Sequence, residues 1–322
     1  MPTLRAGVYS NMKRVLIRDD DVCYFTSPEI LDRLYHRLLE RSIPVNLSVI
    51  PKVSCTTPLP FGSDNPYFDG HLRYEPFIPP SFRGLLHSYE VGENGALVSY
   101  IGASPYLAPT QHGVTHDQAD LSFLSGEAPL DFRQALLQGK AMLEMAFGES
   151  PTFFTPPWDR LSLPAMEVLQ SEFQGVSAGF TRRRFLPVSD WGRYLLRRFQ
   201  QRGLLRWKRC LLVTHPFDLS RFRFPNPRDL LPHIILALGQ WDVLVLTNHY
   251  WEYLNDWSGW DQARLKPWDE VVSYLLARED LKFETFTSLE MACRSADAQS
   301  KDSDRQDSLH QLRNHAKWRY GP

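Results

Sequence analysis

Three acidic residues in a row, Asp19-Asp20-Asp21, follow the apolar run Val15-Leu16-Ile17 and precede Val22. The apolar run reads as a buried strand. Carboxylates at a strand end are electrostatically costly unless a cation or a proton compensates them. Further along, His112-Gly113-Val114-Thr115-His116 sets two imidazoles four residues apart. In a helical turn, side chains at i and i+4 share a face, so the pair could grip one metal ion. Asp, His and His together make three protein ligands and leave coordination positions for water and substrate. A second carboxylate one residue from the ligating one can take a proton from the attacking water. A solvated Asp run or a packed His pair would each carry the same letters. Their co-occurrence in one chain points to a metal-dependent hydrolase.

Two further histidines close buried-strand patterns: His215 in Val213-Thr214-His215-Pro216 and His249 in Thr247-Asn248-His249-Tyr250. An imidazole titrates near neutrality and can protonate a leaving group, so either is a candidate acid. The other would then only hold a backbone carbonyl. Phe153-Phe154-Thr155-Pro156-Pro157-Trp158 reads as a strand that ends in a rigid apolar wall.

The elements that must position these residues alternate. Thr26-Ser27-Pro28-Glu29 is a helix start, with Thr26 as cap and Glu29 completing a capping box. Ile30, Leu31, Leu34 and Leu38 then share a face. Ile43 to Pro51 reads as a strand bounded by prolines, which completes a βαβ unit. Helices are expected over 131–147, 163–170, 229–238 and 268–277, and strands over 152–154, 210–214, 243–247 and 282–286, with a short helix after the last. Continuous apolar strands covered by helices mean a parallel sheet buried on both faces. Titratable residues recur just after the strands, where a parallel α/β barrel collects its chemistry. One barrel over residues 1–293 therefore fits better than two domains. Residues 52–110 break the rhythm and are rich in Pro, Gly, Tyr and Phe; they read as an insertion or lid. Tyr67, Phe68, Tyr74, Phe77 and Phe82 could stack on sugar faces there, or pack the insertion against the barrel. Residues 294–322 are polar and charged and read as a disordered tail.

Composition narrows the class. The 322-residue chain carries 36 basic and 37 acidic residues. No global field argues for nucleic acid or an anionic membrane, and the basic run Thr181-Arg182-Arg183-Arg184 reads as a solvated surface. Cys23, Cys55, Cys210 and Cys293 are widely spaced, which disfavours a disulfide framework and a thiolate zinc site. Met1–Asn11 lacks the apolar core of a secretory signal, and no stretch reads as a membrane span, so the cytoplasm is the default compartment.

The order of motifs resembles the polysaccharide deacetylases, carbohydrate esterase family four with its NodB-homology domain. The resemblance runs over about residues 13–293, apart from the insertion. It implies a distorted (β/α) barrel, usually seven-stranded, and removal of an acetyl group with a divalent metal. In the first motif Asp20 would be the base and Asp21 a metal ligand, with Val22 in place of the usual Gly. A shift to Asp19 and Asp20 is open. In the second, His112 and His116 would bind the metal, with Gly113 replacing a hydroxyl residue. Pro156, Pro157 and Trp158 resemble the wall of the third motif without its Arg, which leaves unassigned what orients Asp20. Ser189-Asp190-Trp191 is similar to a partial fourth motif, whose Asp tunes the catalytic His. The final strand–helix–strand run favours His249 over His215 as the acid.

The implied cofactor is a divalent metal, zinc first, although cobalt, nickel and manganese suit such a donor set. The implied substrate is an N-acetylated sugar or glycan, or an acetylated small molecule. Oligomeric state is not legible. Three other readings stay open. One is an amidohydrolase on a non-sugar C–N bond. Another is a non-catalytic carbohydrate-binding or scaffold barrel, to which the Val22, Gly113 and missing-Arg departures lend weight. The third is a non-haem iron oxygenase, whose facial triad is also two His and one carboxylate.

Overall fold

The structure is a computed structural model that describes residues 12–59, 73–124, 132–179, 187–199, 203–296 and 298–299. Of the polar tail expected over 294–322, residues 294–296 and 298–299 are helical rather than disordered; the rest of it, Tyr67, Phe68, Met1–Asn11 and the Thr181–Arg184 run lie outside the described residues.

Strand β1 (Lys13–Val22) is buried from Val15 onward and runs through the whole Asp triplet. Helix α1 (Pro28–Leu39) leads from it to β2 (Val45–Val49). The α1 cap is Ser27, one residue later than the capping box suggests. Thr26 Oγ1 instead accepts from Cys23 N at 3.0 Å, so the side chain closes the turn after β1 rather than the helix. The short pair β3 (Lys52–Ser54) and β4 (Ser88–Glu90) is antiparallel and stands apart from the main sheet. After it, α2 (Gly95–Gly102) enters β5 (Leu107–His112), and the α/β alternation resumes within the stretch read as an insertion. The chain continues through α3 (Gln118–Leu124), α4 (Phe132–Phe147), β6 (Phe153–Thr155), α5 (Leu163–Glu172) and β7 (Gly175–Gly179). Next come α6 (Val188–Phe199), β8 (Leu204–Trp207), β9 (Cys210–His215), α7 (Leu230–Gln240), β10 (Val243–His249), α8 (Gln262–Leu276) and β11 (Leu281–Phe283). A helix over 286–296 follows.

The main sheet runs β10-β1-β2-β5-β6-β7-β9, all parallel, with β8 antiparallel on the β9 edge and β11 paired to the start of β1. The sheet curls on itself. Arg18 of β1 donates to Ser177 Oγ of β7 at 3.0 Å, although β2, β5 and β6 lie between them in the ladder. Between β9 and β10 the described residues form no ladder. Asp218, beyond β9, makes one parallel bridge to Thr247, and Leu219 N donates to Thr247 O at 2.8 Å. The expected seven parallel strands in a distorted (β/α) barrel arrangement are thus present.

Inside, Leu16, Phe153, Leu211, Val213, Val245, Phe286 and Leu289 form one apolar cluster, so the helix over 286–296 plugs the end opposite the Asp triplet. Outside, α1, α7 and α8 pack on β1, β2 and β10, and α4 and α5 on β6, β7 and β9. Strands β5 and β7 were not expected. LAPTQH carries a Pro and too few apolar residues, and GVSAG is made of small ones. The small residues of β7 have a packing reason: a Cβ on Gly175 would lie 2.2 Å from the Phe153 ring and 2.8 Å from Leu211 O. Gly175→Ala should therefore destabilise the fold by about 1–3 kcal/mol, the range for overfilling a packed core. Urea unfolding would register this as a lower midpoint at unchanged slope; an unchanged midpoint would refute the packing argument. Among the described residues no helix is long and apolar enough to cross a membrane.

Candidate metal centre and its carboxylate chain

An extended strand points successive side chains to opposite faces, so Asp20 and Asp21 could not both face the barrel mouth from a regular β1. The register between β1 and β2 shifts between Asp19 and Val22, and Asp21 has φ 65°. Asp tolerates this left-handed region better than most residues. The bulge breaks the alternation and lets both carboxylates serve one site.

Asp21, His112 and His116 converge. Their nearest ligand atoms all lie within 4.8 Å of one another, and all three are buried. One oxygen, Asp21 Oδ1, is 3.1 Å from His112 Nε2 and 3.2 Å from His116 Nε2. His112 Nδ1 lies 2.9 Å from the Thr155 carbonyl, which can only accept, so Nδ1 carries the proton. In the neutral ring Nε2 is then a bare acceptor facing a carboxylate, and two acceptors at this distance need a cation or a proton between them. The donor set therefore fits a divalent metal. Burial alone would raise Asp21, but the two imidazoles outweigh it and hold the carboxyl well below its usual range. Trp251 Nε1 donates to the other oxygen at 2.8 Å and fixes the carboxylate plane.

The two histidines are not on a helix. His112 ends β5, Gly113 has φ 62° and His116 φ 55°, so the pair closes through a tight loop. Asp120 organises that loop: its Oδ2 accepts from Val114 N, Thr115 N and His116 N at 2.8, 3.0 and 2.7 Å. A Cβ at Gly113 would meet that oxygen at 2.4 Å and Pro157 Cγ at 2.6 Å, so the hydroxyl residue of the resembled motif has no room here. Trp158 (φ 52°) lays its ring on His116 with centroids 4.3 Å apart, while Pro156 and Pro157 are buried beneath.

Asp20 is held by Arg18. On one strand, residues i and i+2 share a face, and Arg18 Nη2 donates to Asp20 Oδ2 at 2.6 Å. The same guanidinium donates to Ser177 O and Oγ and lies 3.5 Å from Asp159 Oδ1. Asp159 Oδ2 in turn meets His215 Nε2 at 3.0 Å. Burial would raise Asp159, but His215 and Arg18 prevail and hold it far below its usual range. A chain Asp20–Arg18–Asp159–His215 results, buried except at the half-buried Asp159. Arg18 is thus the residue that holds Asp20, for which the third motif left no partner.

Asp19 points elsewhere. It accepts from Tyr35 Oη at 2.7 Å and from Tyr250 N at 2.8 Å, and burial pushes it up to about 7. Asp190 lies on α6 and accepts from Trp207 Nε1 at 3.3 Å; the structure does not bring it to the centre. His249 sits beside Asp20 in the β1–β10 register. Burial lowers its pKa, but Asp21 and Asp20 outweigh that and carry it to about 9. Neutralising Asp21 would bring it back toward its ordinary value.

Sequence reasoning gave Arg18 no role and missed Asp120, Asp159, Trp251 and Glu75. Arg18 had a signal, its i−2 spacing from Asp20. Asp120 had a fainter one, four residues after His116. The others had none, because they join the centre only through the fold.

No family model matches the sequence, and no curated protein matches it. Solved structures match by shape. A structure described as a candidate polysaccharide deacetylase from Mycobacterium smegmatis aligns at TM-score 0.56 and 13% identity, over 92% of this chain and 95% of that one. A probable polysaccharide deacetylase from Pseudomonas aeruginosa PAO1 aligns at 0.53 and 10%, over 87% and 91%. Puue allantoinase gives 0.53 and 10%, over 87% and 90%. The chain thus has the fold of the polysaccharide-deacetylase barrels that its motifs resemble.

Proposed function

We propose that this chain is a divalent-metal-dependent hydrolase that cleaves an acyl–nitrogen bond, with an N-acetylated sugar as the first substrate class to test. The observation that carries the reading is the single oxygen, Asp21 Oδ1, shared by His112 and His116. A non-catalytic barrel has no use for a base beside such a cluster, and Asp20 is there, oriented by Arg18. A divalent ion, zinc first, held by Asp21, His112 and His116 would polarise the acyl carbonyl and acidify the attacking water. Asp20 takes the proton of that water. His249 gives a proton to the leaving nitrogen, since an amine anion cannot depart at neutral pH. His215 is the weaker candidate: Nε2 is on Asp159, Nδ1 is 3.5 Å from Arg18 Nη1, and the residue is buried. The fold likeness to Puue allantoinase supports a second reading, hydrolysis of a non-sugar C–N bond at the same centre. The cytoplasm remains the proposed compartment.

The test is acetate release from N-acetylglucosamine and its oligomers by zinc-loaded protein. His249→Ala should slow amide hydrolysis by about 10²–10⁴-fold, the usual contribution of a general acid. Hydrolysis of an activated aryl acetate, whose leaving group needs no proton, should fall far less. Equal losses on both substrates would remove His249 from the acid role. Stoichiometric metal with no acyl release from any amide would reject the hydrolase.

A further inference from the structure

The centre is covered. Residues 73–83, between β3 and β4, are fastened over it at three points. Trp158 Nε1 donates to Glu75 Oε1 at 2.7 Å, Trp257 Nε1 donates to Pro76 O at 2.9 Å, and Arg83 Nη2 meets Asp256 Oδ1 at 2.8 Å. The first tie comes from the loop after β6 and the other two from the loop after β10, so the segment spans the barrel mouth. Phe77 is fully buried, edge-on to the His116 ring at 5.0 Å. Phe82 packs against Phe25 and Tyr89. These two rings therefore build the cover rather than offer a face to a sugar. Under it, His112, His116, Asp20 and Asp21 are only 2, 3, 4 and 5% exposed. A polymer must lie across a catalytic metal with open floor on both sides, and this cover takes that space.

The cover brings one unexpected charge. Glu75 is 5% exposed and lies in the field of His116, Asp21 and His249, which come from three different segments around the centre. Burial pushes its carboxyl up to about 7. Trp158 donates to Oε1, and among the described residues nothing is bonded to Oε2, which leaves it for a second partner. A buried carboxyl in an aromatic setting is destabilising unless it has a task. The complement of a carboxylate oxygen is an N–H donor.

We propose that this centre takes a small amide substrate rather than a polymer, and that Glu75 binds an N–H donor on that substrate beside the scissile bond. The assignment rests on the hydrolase reading for its chemistry but is testable apart from it. A monomeric N-acetylamino sugar and a small ureide both meet the description; a glycan chain does not.

Glu75→Gln separates recognition from simple fastening. The amide keeps an oxygen for the Trp158 indole but turns the other position into a donor, which opposes a substrate N–H. Two readouts are made on zinc-loaded protein: hydrolysis of N-acetylglucosamine, its tetramer and allantoin, and calorimetric binding of acetohydroxamic acid, a small amide analogue with one N–H. The expected result is a small compound preferred over the tetramer by at least tenfold in kcat/KM. Glu75→Gln should raise KM and the acetohydroxamate Kd at least tenfold, with a smaller change in kcat and no loss of Tm. A tetramer preferred over the monomer, or Glu75→Gln binding and turning over like wild type, overturns the proposal and leaves the hydrolase intact. No hydrolysis of any compound, with acetohydroxamate binding still weakened in Glu75→Gln, overturns the hydrolase reading and leaves the Glu75 assignment standing.

Discussion

Replacing both histidines, His112→Ala with His116→Ala, is expected to take the purified protein from about one divalent ion per chain to none, and acyl release with it. The two imidazoles share Asp21 Oδ1, so the variant leaves one carboxylate oxygen, already bonded to the protein through its neighbour and Trp251. Losing even one outer partner of a ligand costs about 10–100-fold in metal affinity, and here two ligands go. The fold should survive, because the loop's backbone is held by Asp120 rather than by the imidazoles. Stability gives an independent check. An ion that binds only the folded chain stabilises it by about 2.7 kcal/mol at a hundredfold excess over Kd. A chelator should therefore lower the wild-type Tm and leave the double variant unmoved. Elemental mass spectrometry with thermal unfolding reads both quantities. One equivalent of metal retained by the variant would place the ion elsewhere and sink the assigned site.

Arg18→Met should be the most destabilising single change at the centre, by about 3–5 kcal/mol at pH 7, the range for breaking a buried ion pair by removing one partner. Arg18 is 1% exposed, and its guanidinium lies 2.6 Å from Asp20 Oδ2 and 3.5 Å from Asp159 Oδ1. Methionine fills the volume but takes the guanidinium from Asp20 and leaves Asp159 with less compensation. The sign with pH follows from Asp159, whose pKa His215 and, after it, Arg18 hold low, so Arg18 carries part of the depression. A depressed carboxyl contributes stability above its unfolded pKa, about 3.9, and loses it as pH falls toward the folded value. The gap between wild type and variant is thus full at neutral pH and narrows below about pH 4. Arg18→Lys keeps the charge but not the planar fork that reaches Asp20, Ser177 and Asp159 together, so it should recover less than half of the loss. If Asp20 is the base, the Lys variant loses kcat more than it raises KM, because the base is misplaced while the substrate still binds. Urea titrations at pH 7 and about pH 3 decide the first claim; a gap under about 1 kcal/mol at pH 7 would show that solvent or a neighbour replaces Arg18.

Much of this was legible in the chain. The strand character of Val15-Leu16-Ile17, Leu211-Leu212-Val213 and Val243 to Leu246 follows from continuous apolar runs, and α4, α7 and α8 from helical periodicity. These patterns are local, so a single sequence carries them. The types and spacing of the Asp19–Asp21 run with His112 and His116 carried the donor set, the resemblance pointed to Asp21 within the run, and the structure brings Asp21, His112 and His116 together. Asp190 shows the limit of a short match: its letters resembled a motif, but α6 leaves it on Trp207.

Composition, periodicity and donor spacing thus determined the class of fold and the residue types that could grip a cation. Only the tertiary structure decided what surrounds them. The bulge that turns Asp20 and Asp21 to one side depends on the β1–β2 register, and the Arg18–Ser177 contact on the curl of the sheet. Asp159 and Glu75 join the centre from loops after β6 and β3, as partners of His215 and Trp158. Such contacts are fixed by packing between residues far apart in sequence, and a pattern read along one chain has no term for them.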